Sequence, residues 1–413
     1  MLRIGIIGKT NTGKTTFFNS ATSQEAEVST YPFTTKKPNR GTAFAQTHCV
    51  CGELDLKDNP RNSRCLEGWR FVPFELIDLP GLIKGSWTGK GLGTQFLSVA
   101  AQAEALLHIV DASGSIDEEG RLTKPGMGNP VVDVYDIEEE LMFWLKTVVS
   151  RVLTKLTKHG RKITHRTEEL AGALAGLKIT EAHVQVALEQ SQLTEKPLAS
   201  WKDDDETEFA RSLREVSKPT IIIANKMDLS HSESNFEKLR DEFKGKIVIP
   251  ACSEAELALR RAQQKAFIEY VPGEESFRVK DRSRLTKEQL WALNYVEERV
   301  LSKWINTGVQ FALNTCVFKL LGLNTVYPVE DPQHFSDKRG NVLPDAHLVS
   351  RGATPRDLAQ QIHSEIARSL LYAIDARSGL RLPNDYFLKD RDVISLVATA
   401  KKRKPASSAK TDF

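Results

Sequence analysis

Gly8-Lys9-Thr10-Asn11-Thr12-Gly13-Lys14-Thr15 is the stretch that decides the fold. It matches G-x-x-x-x-G-K-[S/T]. An apolar run, Leu2 to Ile7, precedes it, and a helix-forming segment, Thr15 to Ala21, follows. That order is what a phosphate loop needs: a buried parallel strand, a glycine turn, then a helix whose N-terminus faces the anion. The glycines let backbone N–H groups converge on phosphate oxygens. Lys14 adds a point charge for β and γ phosphates, and Thr15 adds a hydroxyl for Mg²⁺. Gly8, Asn11, Gly13, Lys14, Thr15 and Thr16 are the expected nucleotide-facing set. A chance glycine loop is the alternative, and the flanking strand and helix argue against it.

Working outward, four more apolar runs each close on a polar loop. Phe71 to Ile77 ends at Asp78-Leu79-Pro80-Gly81, and Ala105 to Val110 ends at Asp111. Thr220 to Ala224 ends at Asn225, and Lys246 to Ile249 ends at Pro250-Ala251-Cys252. Strands alternating with helices describe an α/β parallel sheet, with ligands outside the carboxyl ends of the strands. About a hundred residues separate the third run from the fourth, far more than an ordinary crossover. Helical spacing in Ile137 to Leu145, Val148 to Leu156 and Glu181 to Leu188 predicts a helical insertion there, as a hairpin or coiled coil. Further helices are expected from Glu254 to Tyr270 and from Thr286 to Leu301. From Thr325 onward, short β-rich runs and one helix, Pro355 to Leu371, predict a small α+β module. The expected domains are 1–134 with 216–270 for the nucleotide, 135–215 for the insertion, 271–324 for a helical connector and 325–400 for the module. A basic tail, 401–413, is expected to be disordered.

The polar loops carry chemistry in a fixed order. Asp78 can hold Mg²⁺, and Gly81 can offer its N–H to the γ-phosphate. Asn225-Lys226-Met227-Asp228 follows the fourth run. A carboxylate accepts from both N1–H and the exocyclic amine of guanine, a donor pair that adenine lacks, so Asp228 reads guanine. Lys226 would lay its stem over the base. Cys252 and Ser253 fall where backbone N–H groups would meet the guanine oxygen; a plain strand-to-helix turn is the alternative. Between phosphate loop and metal loop lies Tyr31-Pro32-Phe33-Thr34-Thr35, and Thr35 is the expected switch residue closing on Mg²⁺ and γ-phosphate. Lys14 and Thr35 are thus the catalytic expectation, and Thr15, Thr35 and Asp78 the metal-binding one.

Composition bounds the rest. The chain has 413 residues, 40% of them hydrophobic and 27% charged, with a net charge of +3, too small to argue nucleic-acid binding by itself. No stretch reaches the apolar length of a membrane span, and the N-terminus does not read as a signal peptide, so a cytoplasmic protein is expected. The five cysteines are Cys49, Cys51, Cys65, Cys252 and Cys316, an odd number that argues against a disulfide framework. His48-Cys49-Val50-Cys51 with Cys65 downstream could hold zinc, but the pattern lacks a paired C-x-x-C and a clear fourth ligand, and ordinary thiols are the favoured reading. The basic stretch Arg151 to Arg166 reads equally as a phosphate-tracking surface or a solvated helix face.

Taken together, these motifs resemble the Obg/YchF-like GTPases of the TRAFAC class, in their archaeal and fungal subgroup. The likeness rests on the phosphate loop and on Tyr31 to Thr35 with Pro38-Asn39. It extends through Asp78-Leu79-Pro80-Gly81-Leu82-Ile83, Gly89 through Gly93 with Phe96-Leu97, and Asn225 to Asp228. The C-terminal part resembles a TGS domain, a ubiquitin-like α+β module, through Tyr327-Pro328-Val329, Leu343-Pro344, Gly352 to Ala359 and Asp390 to Val393. The resemblance implies a P-loop GTPase sheet with an inserted helical domain and a C-terminal TGS domain. It implies binding of GTP and GDP with Mg²⁺, and association with ribosomes or RNA, with neither DNA nor a membrane as partner. YchF proper departs from the N-K-x-D motif and uses ATP; retention of Asp228 favours GTP here.

Leu82 stands where many GTPases place a water-orienting glutamine, so intrinsic hydrolysis should be slow. Two classes follow: a GTPase whose turnover resets a switch, or a nucleotide-gated ribosome- or RNA-binding module with little turnover. An ATPase is the third reading. Asn11 suggests a substitute for the glutamine, since some related GTPases place Asn there to bind K⁺; the alternative is that Asn11 only stabilises its loop.

Overall fold

A computed structural model describes residues 1–22, 24, 38–81, 101–158, 165–383 and 385–399. Thr35, the rest of Tyr31 to Thr34, Leu82, the Gly89 to Leu97 segment and the basic tail lie outside the described residues. The chain forms two compact units. The first holds residues 1–46 and 73–321, the second 47–72 and 322–413.

The first unit is built on a sheet in the order β2-β4-β1-β5-β6-β7. These strands are β1 (Arg3–Ile7), β2 (Asn39–His48), β4 (Trp69–Asp78), β5 (Ala105–Asp111), β6 (Thr220–Asn225) and β7 (Ile247–Pro250). All five strands expected from the apolar runs are present. The pairs β1–β4, β1–β5, β5–β6 and β6–β7 are parallel. Every residue of β5 is buried, which is why it reads as an unbroken apolar run rather than an alternating one. The registers Ile6↔Asp78 and Asp111↔Asn225 bring the polar ends of four strands to one edge.

Among its described residues the insertion has four α-helices rather than a hairpin or coiled coil: α3 (Pro130–Thr157), α4 (Arg166–Leu174), α5 (Glu181–Gln190) and α6 (Asp203–Ser217). Among the described residues the two helices before these are α1 (Lys14–Thr22) and α2 (Val50–Glu53). Leu145, Val149, Leu153, Leu170, Leu174, Val184, Leu188, Phe209 and Leu213 form one buried cluster from all four insertion helices. A two-helix seam has no place for that many inward apolar residues, so the segments collapse around a core of their own. Pro130 begins α3 because Asn129 caps it, its side chain accepting from Val131 N at 3.1 Å. The helix expected to reach Tyr270 stops at Gln264, and Ile268–Glu269 pairs with Arg278–Val279 as a short hairpin.

The second unit carries a five-stranded sheet in the order β11-β10-β14-β12-β13. Its strands are β10 (Leu323–Val329), β11 (His347–Ser350), β12 (Leu370–Asp375), β13 (Arg381–Leu382) and β14 (Val393–Ala398). The single helix expected from Pro355 to Leu371 is two. His363 is extended between Pro355–Ile362 and Ser364–Ser369, and its ring accepts from Glu365 N at 3.1 Å as the cap of the second helix. Residues 47–72 belong to this unit, although sequence boundaries leave them in the nucleotide domain. The reason is polar and specific: Arg61 bonds Asp345, Asn62 exchanges hydrogen bonds with Ala346, and Glu53 pairs with Arg377 and Arg391.

Candidate nucleotide site

The phosphate loop leaves β1 at Ile7 and enters α1 at Lys14. Gly8 has φ of 144°, and a Cβ there would sit 2.3 Å from the Ile109 carbonyl of neighbouring β5. Gly13 has φ of 97°, and its Cβ would lie 2.2 Å from Asn225 Nδ2. Both positions therefore require glycine on conformational and steric grounds. Thr12 Oγ1 donates to Lys9 O at 3.1 Å and Asn11 Nδ2 to Gly120 O at 2.9 Å, which hold the loop open as a concave turn. Asn11 adopts φ of 64°, a left-handed conformation that Asn tolerates better than most residues.

Inside this turn Lys14 is buried and donates to Lys9 O at 2.5 Å. Burial lowers its pKa to about 8, against the pull of Asp78. Asp78, at the end of β4, is 1% exposed. Its Oδ2 accepts from Thr15 Oγ1 at 2.8 Å and from Asn39 Nδ2 at 3.2 Å. Its Oδ1 is buried with no hydrogen-bond partner among the described residues. Burial raises the Asp78 carboxyl above its ordinary range, opposed by Lys14, Thr15 and Asn39. Gly81 lies against the loop so closely that a Cβ would meet Thr10 Oγ1 at 2.5 Å. Thr16 follows Thr15 in the first turn of α1 and is half-buried.

The base-side loops converge on the same edge. Asn225 Nδ2 donates to Thr12 O at 2.9 Å, and its Oδ1 accepts from Ser253 N at 3.0 Å and Ser253 Oγ at 2.9 Å. One amide thus ties the phosphate loop to the loop after β7. Asp228 accepts from Cys252 Sγ at 3.0 Å through Oδ1 and from the Tyr295 hydroxyl at 3.4 Å through Oδ2. Burial and the facing Asp228 push the Cys252 thiol well up, so it stays a donor. Lys226, at φ of 64°, reaches back to Asp111 Oδ2 at 2.8 Å. Asp111 is fully buried and also accepts from Ser113 and Ser115 hydroxyls at 2.6 Å each.

In the turn after β7, Cys252 N donates to Thr307 O at 2.8 Å and Ser253 N to Asn225 Oδ1 at 3.0 Å. Their side chains bond Asp228 and Asn225 respectively. Sequence reading passed over Asp111, Tyr295 and Lys9. Asp111 was visible as a carboxylate ending a buried strand on the ligand edge. Lys9 is 2% exposed and pairs with Asp133 and Asp136 at 2.7 Å each, pinning the phosphate loop to the start of α3. Burial pulls its pKa down, but the hydrogen bonds and charges of the two aspartates outweigh that and leave it raised. Nothing in the local sequence joins Lys9 or Tyr295 to these partners.

Comparison with known proteins agrees with this geometry. Residues 3–136 match the 50S ribosome-binding GTPase family, residues 223–331 the G4 motif-containing domain of YGR210-like Obg-like GTPases, and residues 339–398 the TGS domain. A GTP-binding protein of Methanocaldococcus jannaschii is 42% identical over 97% of this chain and 100% of its own. The chain belongs to the YchF/Obg family of GTP-binding proteins. This Obg-like protein is thus a GTP-binding P-loop protein with a C-terminal TGS domain. A solved GTP-binding protein from Pyrococcus horikoshii OT3 superposes with a TM-score of 0.74 at 33% identity, covering 96% of this chain and 100% of that one. The ribosome-binding ATPase YchF of Bacillus subtilis is 29% identical over 67% of this chain and 72% of its own. Among the described residues of this Obg-like protein, no helix is long and apolar enough to cross a membrane.

Proposed function

We propose that this protein is a Mg²⁺-dependent GTPase that hydrolyses GTP to GDP and phosphate slowly, and that the turnover switches its docking on a ribosomal particle. The observation that carries the reading is the Thr15–Asp78 pair: a hydroxyl beside a buried carboxylate whose Oδ1 has no hydrogen-bond partner among the described residues, next to the buried Lys14. Such a hard oxygen pair suits Mg²⁺. When bound, Mg²⁺ would neutralise charge on the phosphate oxygens.

The chain's own groups do the rest. Lys14 turns from Lys9 O to the β and γ phosphates, and the N–H groups of Gly8 to Thr16 cradle them. Gly81 approaches the γ-phosphate through its backbone. Asp228, oriented by Cys252 and Tyr295, accepts from guanine, while Lys226, held by Asp111, covers the base. Thr35 would close the site. With Leu82 in place of glutamine, no side chain at that position can orient water, which supports a low intrinsic rate. The names of the 50S ribosome-binding family and of YchF support a ribosomal particle as partner, and a cytoplasmic location goes with that reading.

The test is GTP turnover with Mg²⁺, with and without purified ribosomal particles. A slow rate that rises on adding particles is expected. GTP-dependent particle binding with no change in rate would favour a nucleotide-gated docking module. Absence of turnover in both conditions would sink the enzyme reading. A K⁺ at Asn11 would also need carbonyls from Tyr31 to Thr35; equal rates in KCl and NaCl would exclude it.

A further inference from the structure

In the second unit, three thiols and one carboxylate from separate turns of chain meet. Cys49 precedes α2 and Cys51 lies in it. Cys65 lies in β3 (Arg64–Leu66), which pairs with the start of β4, Cys65 opposite Arg70. Asp58 comes from the loop between. The ligating atoms of Cys49, Cys51, Asp58 and Cys65 all lie within 4.8 Å of one another. We propose that these four residues form a closed, tetrahedral zinc site.

Two of the ligand separations match those around zinc. Tetrahedral bonds of about 2.3 Å to sulfur put two thiolates about 3.8 Å apart, and a thiolate and a carboxylate oxygen about 3.5 Å apart. Cys51 Sγ and Cys65 Sγ are 3.8 Å apart, and Cys49 Sγ and Asp58 Oδ2 are 3.4 Å apart. Three thiolates select a soft or borderline ion over Mg²⁺ or Ca²⁺, and four protein ligands leave no open position, as in structural sites. Asp58 is the fourth ligand that sequence spacing did not reveal. His48, the sequence-adjacent candidate, is turned away and stacks on Trp69 with centroids 4.1 Å apart.

The surroundings supply what such a site needs. Three thiolates, one carboxylate and Zn²⁺ leave a net charge of about −2. Arg70, 0% exposed, donates from Nη1 to Asp58 Oδ2 at 3.0 Å and from Nη2 to Leu343 O at 2.6 Å. A buried cation thus offsets the charge and orients the carboxylate, the part an outer-shell partner plays around a metal. The same Arg70 lies over the Tyr327 ring of β10, 5.4 Å from its centroid, which joins the site to the sheet of the second unit. Zinc here would staple residues 49–65 onto that module, coupling metal binding to folding of this unit.

The test uses the full chain, grown with zinc and purified under reducing conditions. About one zinc per chain is expected, with Cys65→Ser and Asp58→Asn each losing at least tenfold in zinc affinity. Cobalt(II) in place of zinc should give thiolate-to-metal charge-transfer absorption, reduced in Cys65→Ser. Chelation should raise hydrogen exchange in residues 49–66. Unchanged exchange in the sheet of the second unit, and binding of a fluorescent GTP analogue within twofold, report that both units of the variants stay folded. A reduced, folded chain with no zinc and no cobalt charge-transfer band overturns the site. So does a Cys51–Cys65 disulfide as the dominant form in a metal-free chain.

Discussion

Asn225→Ala tests whether one amide joins the two halves of the nucleotide site. Asn225 is 2% exposed, and its three hydrogen bonds end on Thr12 and Ser253, which are 0% and 1% exposed. A buried hydrogen bond contributes about 1 kcal/mol net, so losing three sets a floor of about 3 kcal/mol. Truncation also strands the Thr12 carbonyl and the Ser253 donors without water, which raises the expected cost to about 5 kcal/mol. At about 1.4 kcal/mol per tenfold, the floor alone is roughly a hundredfold, divided between folding and nucleotide affinity. Thermal unfolding of the full chain gives the first share, and titration with a fluorescent GTP analogue gives the second. Asn225→Asp keeps the acceptor for Ser253 but turns a buried carboxylate oxygen on the Thr12 carbonyl, so it should cost at least as much as the alanine variant. Combining Asn225→Ala with Ser253→Ala should cost about 1 kcal/mol less than the sum of the two. An Asn225→Ala chain with unchanged melting and GTP affinity within threefold of the parent would refute the reasoning.

Further outcomes follow from the same site. Asp228→Asn exchanges an acceptor for a mixed donor and acceptor, so competition binding should show loss of GTP and gain of XTP; a retained strong preference for GTP would defeat base reading by Asp228. Lys14 titrates at about 8 in the free chain, and bound phosphates raise that value, so binding takes up protons above the free pKa. GTP affinity should therefore fall as pH rises past 8. Calorimetry in two buffers of different ionisation enthalpy should read an uptake from Lys14 of about half a proton at pH 8. Gly8→Ala drives a Cβ against the Ile109 carbonyl, which backbone pairing holds in place, whereas the space around Gly176 is open. Denaturant titration should show Gly8→Ala destabilised by more than about 2 kcal/mol, and Gly176→Ala, in a helical turn, unchanged or slightly stabilised.

The sequence by itself determined what local chemistry dictates. An apolar run followed by Gly8 to Thr15 has few structural solutions, because only a strand, a glycine turn and a helix satisfy its periodicity and its two glycines at once. The order of Asp78, Gly81 and Asn225 to Asp228 after it carried the sheet, the phosphate edge and the base loop for the same reason. Short β-rich runs and turn residues after Thr325 made a small α+β module legible, and its motifs made the likeness to a TGS domain. Tertiary structure alone decided the rest, because partners far apart in the chain meet only when elements pack. The Lys9 pairs with Asp133 and Asp136, the Tyr295 hydroxyl on Asp228 and the extended His363 are of this kind. So are the hydrogen bonds from the N–H groups of Cys252 and Ser253 to Thr307 and Asn225. Asp58 shows the limit most sharply: seven residues from Cys51 and seven from Cys65, it carries no recognisable spacing, yet the β3–β4 hairpin and Arg70 bring its carboxylate among three thiols.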